Sequence, residues 1–332
     1  MTTPVEHLLG EAGPPPSWAP DGAVRFSVIV RTQGRRPNSL IEALTSLAEQ
    51  THAPHQVLVI VHEPDTQVAP RVEQELAAAD LALPVEVVAV TEGGRSRPLN
   101  AGLGRATGDY VCFLDDDDLA LPDWLGAFDR AIQASPGTTP RARTGVQPWT
   151  TDGGEEPVRA EGRVEEPFAA EFDLLGHCSQ NQTPICSVAF PRHVLYHFGF
   201  RFAEDLPVFE DWEFLMRVAP LTGVTSINAQ TSLYRRLDNG NADTAEDQAV
   251  WQHTHAVVVA RIAERPLLVP IGDAQRIATA HFEIGAGSRH EAELADAYAD
   301  IEQLTRSPLH WGTRFARRVG GAIRSRIAAP PR

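Results

Sequence analysis

The chain contains no lysine, and its basic residues are outnumbered by acidic ones. All 29 basic residues among the 332 are arginine, against 44 Asp and Glu, which leaves a formal net charge of −15 at pH 7. Because a field of this sign repels polyphosphate, the composition disfavours broad nucleic-acid binding. A phosphate-bearing ligand would need locally placed arginines, a metal ion or helix N-termini to hold it.

Cysteines and long apolar runs are scarce as well. The three cysteines have neither the number nor the spacing of a disulfide framework or a zinc site, which favours a reducing compartment. No run of about 18 apolar residues occurs, and the first residues lack the basic start and apolar centre of a signal peptide. We therefore expect a cytoplasmic protein, either free or at the inner face of the membrane.

Apolar runs alternate with helical patterns in the first part of the chain. Runs typical of strands buried on both faces lie at 26–30, 57–61, 85–90 and 110–114. This alternation predicts an α/β fold with a mostly parallel sheet flanked by helices. Ligands of such sheets bind outside the carboxyl ends of the strands, so the residues just after each run matter most.

The remainder of the chain is less regular. Residues 136–170 are rich in Gly, Pro, Thr and Glu, which predicts long loops with at most short strands. From about residue 244 the pattern becomes helical. We predict a flexible leader at 1–23, a main domain at 24–240 and a helical C-terminal region at 241–332.

Four consecutive carboxylates, Asp115 to Asp118, directly follow the fourth apolar run. If the extended conformation continues, Asp115 and Asp117 point to one side and Asp116 and Asp118 to the other. Carboxylates this close stay ionised only with a compensating cation, and hard oxygen ligands favour Mg²⁺ or Mn²⁺. Substrate phosphates and water commonly complete the shell of such an ion. The alternative is a solvated acidic turn in which Asp118 caps the next helix.

Several motifs together resemble family 2 glycosyltransferases of the GT-A fold. They are FSVIVRT at 26–32, SLAEQT at 46–51, LNAGLGRATGDY at 99–110 and FLDDDD at 113–118, followed by Pro122 and Trp124. The resemblance covers roughly residues 26–236. It implies a GT-A domain at 24–240, with a nucleotide-sugar half at 24–130 and an acceptor half at 131–240.

The resemblance also assigns roles on the donor side. It implies an Asp-x-Asp element, Asp115 and Asp117, that binds Mn²⁺ or Mg²⁺ and through it the donor diphosphate. The other residues expected to bind the donor are Arg31, Thr32, Glu63, Arg97, Asn100 and Asp116. Arg97 belongs with Arg95 to the segment 93–97, for which an ordinary loop is the alternative. Glu63 stands where the family has an acidic turn for the nucleobase, and a plain surface turn at Pro64 is the alternative. For Arg31, the alternative is a charge that solvates a strand end.

A second acidic cluster, Glu210 and Asp211, precedes a helical pattern and resembles the Glu-Asp pair of the family. The resemblance implies that Asp211 is the general base and that Glu210 assists it; the alternative is that Asp211 caps the helix. Arg235 and Arg236 resemble a basic element that closes over the leaving diphosphate, although either could simply neutralise the acidic protein. Residues 181–184 correspond to an acceptor-pocket segment in relatives, and an ordinary polar loop is the alternative.

The last 23 residues are basic and amphipathic. Residues 310–332 hold six arginines and no acidic residue, so this segment carries +6 and the rest of the chain carries −21. Trp311, Phe315, Val319 and Ile323 recur every four residues, which predicts an apolar helix stripe. Such a helix can lie on anionic lipid, giving peripheral membrane contact, or it can dock on the protein's own core.

The residues and the resemblance together predict a metal-dependent glycosyltransferase of the hexosyltransferase type, and the resemblance alone implies that it inverts the anomeric centre. Its donor would be a nucleoside-diphosphate sugar, and its acceptor a hydroxyl group on a glycan, a lipid-linked molecule or a small molecule. Two alternatives remain open: a nucleotidyltransferase, which would release pyrophosphate, and a sugar-nucleotide-binding protein without turnover. The oligomeric state is not readable from the sequence.

Overall fold

The computed structural model describes residues 13, 18–151, 156–157, 159–237, 245–267 and 274–279. The chain divides into two compact units, Met1–Leu268 and Val269–Arg332. In the second unit the described residues are 274–279, which are helical. Most of the predicted leader and all of the basic segment 310–332 lie outside the described residues.

The first unit alternates strands and helices, as predicted, over its first half. Its strands are β1 Phe26–Thr32, β2 Gln56–His62, β3 Val85–Val90, β4 Tyr110–Asp115, β5 Leu119–Ala120, β6 Thr139–Thr150, β7 Arg159–Ala160, β8 Ala189–Pro191 and β9 Val224–Leu237. Its helices are α1 Pro37–Ala48, α2 Val68–Ala78, α3 Ser96–Arg105, α4 Trp124–Ala134, α5 Leu174–His177, α6 Arg192–His197, α7 Glu210–Thr222 and α8 Ala245–Ala263, with a 3₁₀ turn at Ile185–Ser187.

The main sheet has the strand order β3-β2-β1-β4-β8. The first four strands are parallel, and β8 pairs antiparallel with β4. Alternate residues of β1 enter two cores: Phe26, Val28 and Val30 pack on one side and Ile29 on the other. The predicted α/β architecture, a mostly parallel sheet flanked by helices, is confirmed.

Two glycines of the 99–110 motif are explained by close packing. A Cβ atom on Gly102 would lie 2.6 Å from Ile29 Cγ2, so a larger residue would push α3 away from β1. A Cβ on Gly108 would lie 2.6 Å from the carbonyl oxygen of Arg25. Gly102 therefore lets α3 pack closely on β1, and Gly108 lets the chain pass close to β1 just before β4 begins.

A second sheet, with the order β5-β9-β6-β7, was not foreseen. The expectation of at most short strands at 136–170 is wrong for β6, which runs for 12 residues and pairs in parallel with β9. The segment lacks a clear alternation of apolar residues, and its extended conformation depends on pairing with a strand about 85 residues later. Arg141, buried in β6, donates to the carbonyl oxygens of Ala170 and Gln182 and so ties the 169–182 loop to this sheet.

Helix α8 packs within the first unit, although the sequence analysis placed it in a separate C-terminal region. Val258 of α8 shares a small core with Trp212 and Met216 of α7. Among the described residues, no helix is both long enough and apolar enough to cross a membrane.

Candidate active site

The predicted site residues of β1 and β4 meet at the carboxyl edge of the main sheet. Arg31 pairs in register with Asp115 across the two neighbouring parallel strands. The ligand-binding crevice of an open α/β sheet lies at this edge. The topology therefore brings Arg31, Thr32 and the aspartate run together as the sequence predicted.

The four aspartates are held in four different ways. The extended conformation ends at Asp115, because the Asp118 backbone N–H donates to the Asp115 carbonyl at 3.1 Å and closes a turn. Asp116 accepts a hydrogen bond from the Thr32 hydroxyl, and Asp117 pairs with Arg36. Asp118 is buried and accepts from the Arg235 backbone N–H at 3.1 Å. Alternation along a strand therefore does not decide which aspartates share a face.

Burial and mutual repulsion act on this turn. Burial, with a smaller contribution from the charge of Asp117, raises the pKa of Asp116 to about 7. Burial likewise raises the pKa of Asp117 even though the Arg36 charge opposes it, and it raises that of Asp118 further. Asp115 behaves differently: burial would raise its pKa, but the charge and hydrogen bonds of Arg31 outweigh burial and lower it.

Two cavities open beside these carboxylates. The first, here called the arginine cavity, has a volume of about 340 Å³. Its lining includes Arg31, Arg35, Arg36, Arg95, Thr32, His62, Tyr234 and Asp115 to Asp117. Four guanidinium groups line this cavity beside three carboxylates, and guanidinium groups suit a phosphate-bearing ligand in a protein that is acidic as a whole.

The second cavity, of about 260 Å³, is here called the aromatic cavity because Phe168, Phe209 and Trp251 line it. Asp211 and Glu210 line it as well, together with Arg31, Arg95, Asp115 and Tyr234, which it shares with the arginine cavity. The two acidic clusters of the sequence thus stand at adjoining cavities.

Arg31 bridges the two acidic clusters. Its Nε and Nη2 donate to the two carboxylate oxygens of Asp115 at 2.9 and 2.7 Å. Its Nη1 donates to Glu210 Oε1 at 2.9 Å, and Arg95 Nε donates to the same oxygen at 2.7 Å. The Arg31 side chain is 12% exposed and that of Glu210 is 4% exposed, so this network is largely shielded from water.

The network sets the protonation of the Glu210 and Asp211 pair. Burial would raise the pKa of Glu210, but the charges of Arg95 and Arg31 outweigh burial and lower it, so Glu210 is ionised at neutral pH. Burial, and then the negative charge of Glu210, raise the pKa of Asp211 to about 7. Asp211 can therefore hold or release a proton near neutral pH, as a general base requires.

The geometry also orients the Asp211 carboxylate. Asp211 Oδ1 accepts from its neighbour Trp212 N–H at 2.7 Å and from the Asn181 amide at 3.3 Å. The preceding residue, Phe209, has a left-handed backbone with φ of 61°, which is uncommon for a residue with a bulky side chain. This turn starts α7 so that Glu210 meets the arginines while Asp211 lines the aromatic cavity.

Other predicted residues lie elsewhere or have protein partners. Asn100 exchanges hydrogen bonds with the Phe202 backbone, and Arg97 pairs with Glu204 at 3.3 Å. Both line a separate cavity of about 800 Å³ beside β3 and α3. They fasten the 202–204 segment onto α3, and neither lines the arginine cavity.

The remaining predicted donor contacts are at the ends of β2 and β9. Glu63 pairs with Arg35 at 3.2 Å, which places it at the rim of the arginine cavity through that partner. Arg235 is buried; it donates to the carbonyl of Asp117 and to Glu42 and so holds the aspartate turn. Its neighbour Arg236 is exposed.

Sequence reasoning missed Arg35 and Arg36 of the arginine cavity and Trp251 of the aromatic cavity. Arg36 stands between β1 and α1 and reaches Asp117, and its nearness to the end of β1 was the available signal. Trp251 lies on α8, about 40 residues after Asp211, and nothing in the local sequence connects it with this cavity.

The oxygen donors of the aspartate turn can be compared with what a divalent ion requires. Among the described residues, no three His, Cys, Asp or Glu side chains are grouped as metal ligands. Two carboxylates, Asp115 and Asp117, are nevertheless the number that Mg²⁺ takes when water and substrate phosphates complete its shell. Both are oxygen donors that line one cavity with partly exposed side chains, so the residues present fit such an ion.

Comparison with known proteins agrees with the fold. Residues 27–154 match the model of glycosyl transferase family 2. The chain is 25% identical over 224 residues to the uncharacterized glycosyltransferase YwdF of Bacillus subtilis (strain 168). The aligned region covers 67% of this chain and 78% of that protein.

A solved structure of S. aureus TarS, residues 1–349 in complex with UDP-GlcNAc, matches with a TM-score of 0.50 and 21% identity. The match covers 70% of this chain and 66% of the other, so this chain spans just under two thirds of that structure. This likeness supports the GT-A-like fold. Residues 27–154 are thus similar to glycosyl transferase family 2, and the curated relative carries the name of a glycosyltransferase.

Proposed function

We propose that the protein transfers a sugar from a nucleoside diphosphate to a hydroxyl acceptor, by a metal-dependent displacement that inverts the anomeric centre. The observation that carries the proposal is Asp211, a buried carboxylate with a pKa raised to about 7, which lines a cavity adjoining a cluster of arginines and aspartates. The match of residues 27–154 to glycosyl transferase family 2 and the UDP-GlcNAc in the TarS complex support a sugar nucleotide as the donor.

The arginine cavity would hold the donor diphosphate. Arg31, Arg35, Arg36 and Arg95 supply guanidinium groups that can bind phosphate oxygens through two parallel hydrogen bonds. Asp115 and Asp117 would hold Mn²⁺ or Mg²⁺. When bound, such an ion neutralises charge that develops on the departing diphosphate.

The aromatic cavity would hold the acceptor. The Asp211 carboxylate takes the proton of the acceptor hydroxyl, and the oxygen forms a bond to the anomeric carbon. The bond from that carbon to the diphosphate oxygen breaks, and the nucleoside diphosphate leaves with the electron pair. Glu210, kept ionised by Arg31 and Arg95, maintains the raised pKa of Asp211 and so its basicity.

Product analysis with a matched variant tests this proposal. The wild-type protein, incubated with a panel of sugar nucleotides and Mn²⁺ or Mg²⁺, is expected to release a nucleoside diphosphate. Asp117→Asn is expected to weaken metal-dependent donor binding by about tenfold or more, because one of only two protein ligands loses its charge. Asp123→Asn, at an exposed aspartate that pairs with Arg130 and lines neither cavity, is the control and should retain metal-dependent binding.

Two outcomes would contradict the proposal. Release of pyrophosphate would favour a nucleotidyltransferase. Donor binding without hydrolysis or transfer, across a broad acceptor panel, would favour a binding protein without turnover.

We further propose peripheral membrane contact through residues 310–332, whose six arginines and apolar stripe suit an anionic surface. Full-length protein is expected to sediment with vesicles containing phosphatidylglycerol and to be released by salt, because the attraction is electrostatic. A full-length variant with Arg314, Arg317, Arg318 and Arg324 changed to Gln should lose most of this binding. Equal sedimentation of both proteins would contradict the proposal.

A further inference from the structure

The fold brings an aromatic residue of α8 to the cavity of the candidate base. Trp251 lines the aromatic cavity together with Asp211, although α8 begins about 35 residues after α7 starts. Two contacts anchor this helix: His255 Nε2 lies 2.8 Å from the Ser179 carbonyl oxygen, and Val258 packs in the core beside Trp212. The indole of Trp251 is therefore held at the cavity by a packed helix.

The lining of the aromatic cavity is amphipathic. Its apolar part includes the rings of Phe168, Phe209 and Trp251, together with the smaller side chains of Pro184, Ile185 and Val208. The Phe209 and Trp251 rings meet edge to face with centroids 4.8 Å apart. Its polar part includes Asn181, Asp211 and Glu210, together with the guanidinium groups of Arg31 and Arg95. A ligand that fits this lining needs both an apolar face and several hydroxyl groups.

The volume of the cavity limits the ligand further. About 260 Å³ is slightly less than the roughly 300–1,000 Å³ of sites that bury a drug-sized molecule. One ring-sized unit fits this space, whereas a polyprenyl chain or a folded peptide segment does not. The C–H bonds on the face of a pyranose are weakly positive and pair with the negative face of an aromatic ring, while its hydroxyl groups point outward from the ring edge.

We infer that the aromatic cavity is an acceptor subsite for one sugar ring, stacked on Trp251, so that the acceptor is a glycoside. This inference rests on the proposed sugar transfer and names its acceptor class. The acceptor hydroxyl is presented to Asp211, and the Asn181 side chain beside this carboxylate binds a neighbouring hydroxyl group. Trp251 then determines acceptor affinity without touching the donor.

The backbone of Phe209 supports this assignment. A left-handed conformation is unfavourable at a bulky residue and persists where the surrounding structure requires it, often at ligand sites. At Phe209 this conformation places the aromatic ring in the wall of the cavity, in contact with Trp251. The Glu210 and Asp211 pair follows directly in the chain.

Transfer kinetics test the inference, with methyl glycosides of glucose, galactose and N-acetylglucosamine as acceptors. Trp251→Leu is expected to raise the acceptor KM about tenfold or more, with donor KM and donor hydrolysis unchanged, because leucine retains apolar volume but has no ring face. Trp251→Phe is expected to stay within about threefold of the wild type for the same reason. Gln252→Ala, exposed on the same helix, is the control and should change nothing.

Direct binding keeps the inference testable even if no donor is turned over. In ¹H–¹⁵N spectra of the full-length protein with UDP, the methyl glycosides are expected to shift the indole N–H resonance of Trp251, assigned by its absence from Trp251→Phe. Failure of all donors would remove the proposed function, while this shift would still support a sugar subsite.

Three results would overturn the inference: an unchanged acceptor KM in Trp251→Leu, transfer only to acceptors without a sugar ring, or an unshifted Trp251 resonance with every glycoside. The first two would leave the proposed sugar transfer intact.

Discussion

Asp211→Asn is expected to lower kcat by at least about 100-fold while the donor affinity stays within about threefold, as for loss of a general base. Asparagine has the same size, and its amide oxygen can still accept the Trp212 N–H, so the start of α7 is preserved. It cannot take the proton of the acceptor hydroxyl. Steady-state kinetics and donor titration by calorimetry measure the two quantities separately.

The pH profile identifies the group. Asp211 acts when deprotonated, and its pKa is raised to about 7 by burial and then by Glu210, so wild-type kcat/KM should rise with pH to a plateau above about 7.5. Arg31 and Arg95 oppose this shift, as does the Trp212 N–H. A flat profile in the wild type, or the same rise in Asp211→Asn, would contradict the assignment.

Stability separates lost chemistry from lost structure. Because the folded pKa of Asp211 is raised, the folded protein holds a proton more firmly than the unfolded chain, and this contribution is lost as pH rises from about 4 to about 7. Asp211→Asn removes the buried charge, so its free energy of unfolding at pH 7.5 should equal or exceed that of the wild type. Asp205→Asn, an exposed aspartate paired with Arg261, is the control and should leave kcat unchanged.

The parts of the site that were predictable lie at strand ends. Buried strands appear in sequence as apolar runs, and parallel strands end at the same edge, so the placement of Arg31, Thr32 and Asp115 beside one another follows from the order of these runs. The Glu210 and Asp211 pair was found from the resemblance of a short motif. Which of the side chains of Asp115 to Asp118 share a face could not be predicted. The backbone hydrogen bond from Asp118 to Asp115 closes a turn, so the strand ends before the alternation of faces can continue.

Contacts between segments that lie far apart in the chain could not be predicted from the sequence. Arg31 meets Glu210 across 179 positions, and β6 gains its partner only when β9 is in place. Trp251 reaches the Asp211 cavity because α8 packs on α7, which no periodicity within α8 reveals. The position of Arg235 in the sequence predicted that it binds the donor diphosphate. In the structure it is buried and donates to Glu42 and to the Asp117 carbonyl, so its partners are protein groups.

Arg31→Leu is expected to lower the free energy of unfolding by about 3 kcal/mol, near the lower end of the roughly 3–5 kcal/mol for breaking a buried ion pair. The variant leaves Asp115 without its bidentate partner and Glu210 with Arg95 alone. The lower end applies because the Asp115 side chain keeps 24% of its surface exposed and Arg95 still neutralises Glu210. Urea unfolding at pH 7 measures the change, with an unchanged m-value showing that both states kept their compactness.

Arg25 supplies the matched control, just before the start of β1. It also forms a two-bond pair, donating from Nε and Nη2 to Asp109 at 3.2 and 2.7 Å, but its side chain is 54% exposed. Arg25→Leu should therefore cost less than about 1 kcal/mol, because water already solvates the exposed guanidinium group. Equal losses in the two variants would mean that burial of the Arg31 network contributes nothing to stability.

Arg31→Lys distinguishes charge from geometry. Lysine retains the positive charge, so part of the stability lost in Arg31→Leu should return. A single ammonium group cannot make two parallel bonds to Asp115 while also reaching Glu210, so the link between the acidic clusters stays broken. If activity depends on that link, Arg31→Lys folds nearly as stably as the wild type but turns over at least about tenfold more slowly, as expected when a positioned catalytic group is misaligned. Full activity in a stable Arg31→Lys protein would show that the positive charge alone is what the site requires.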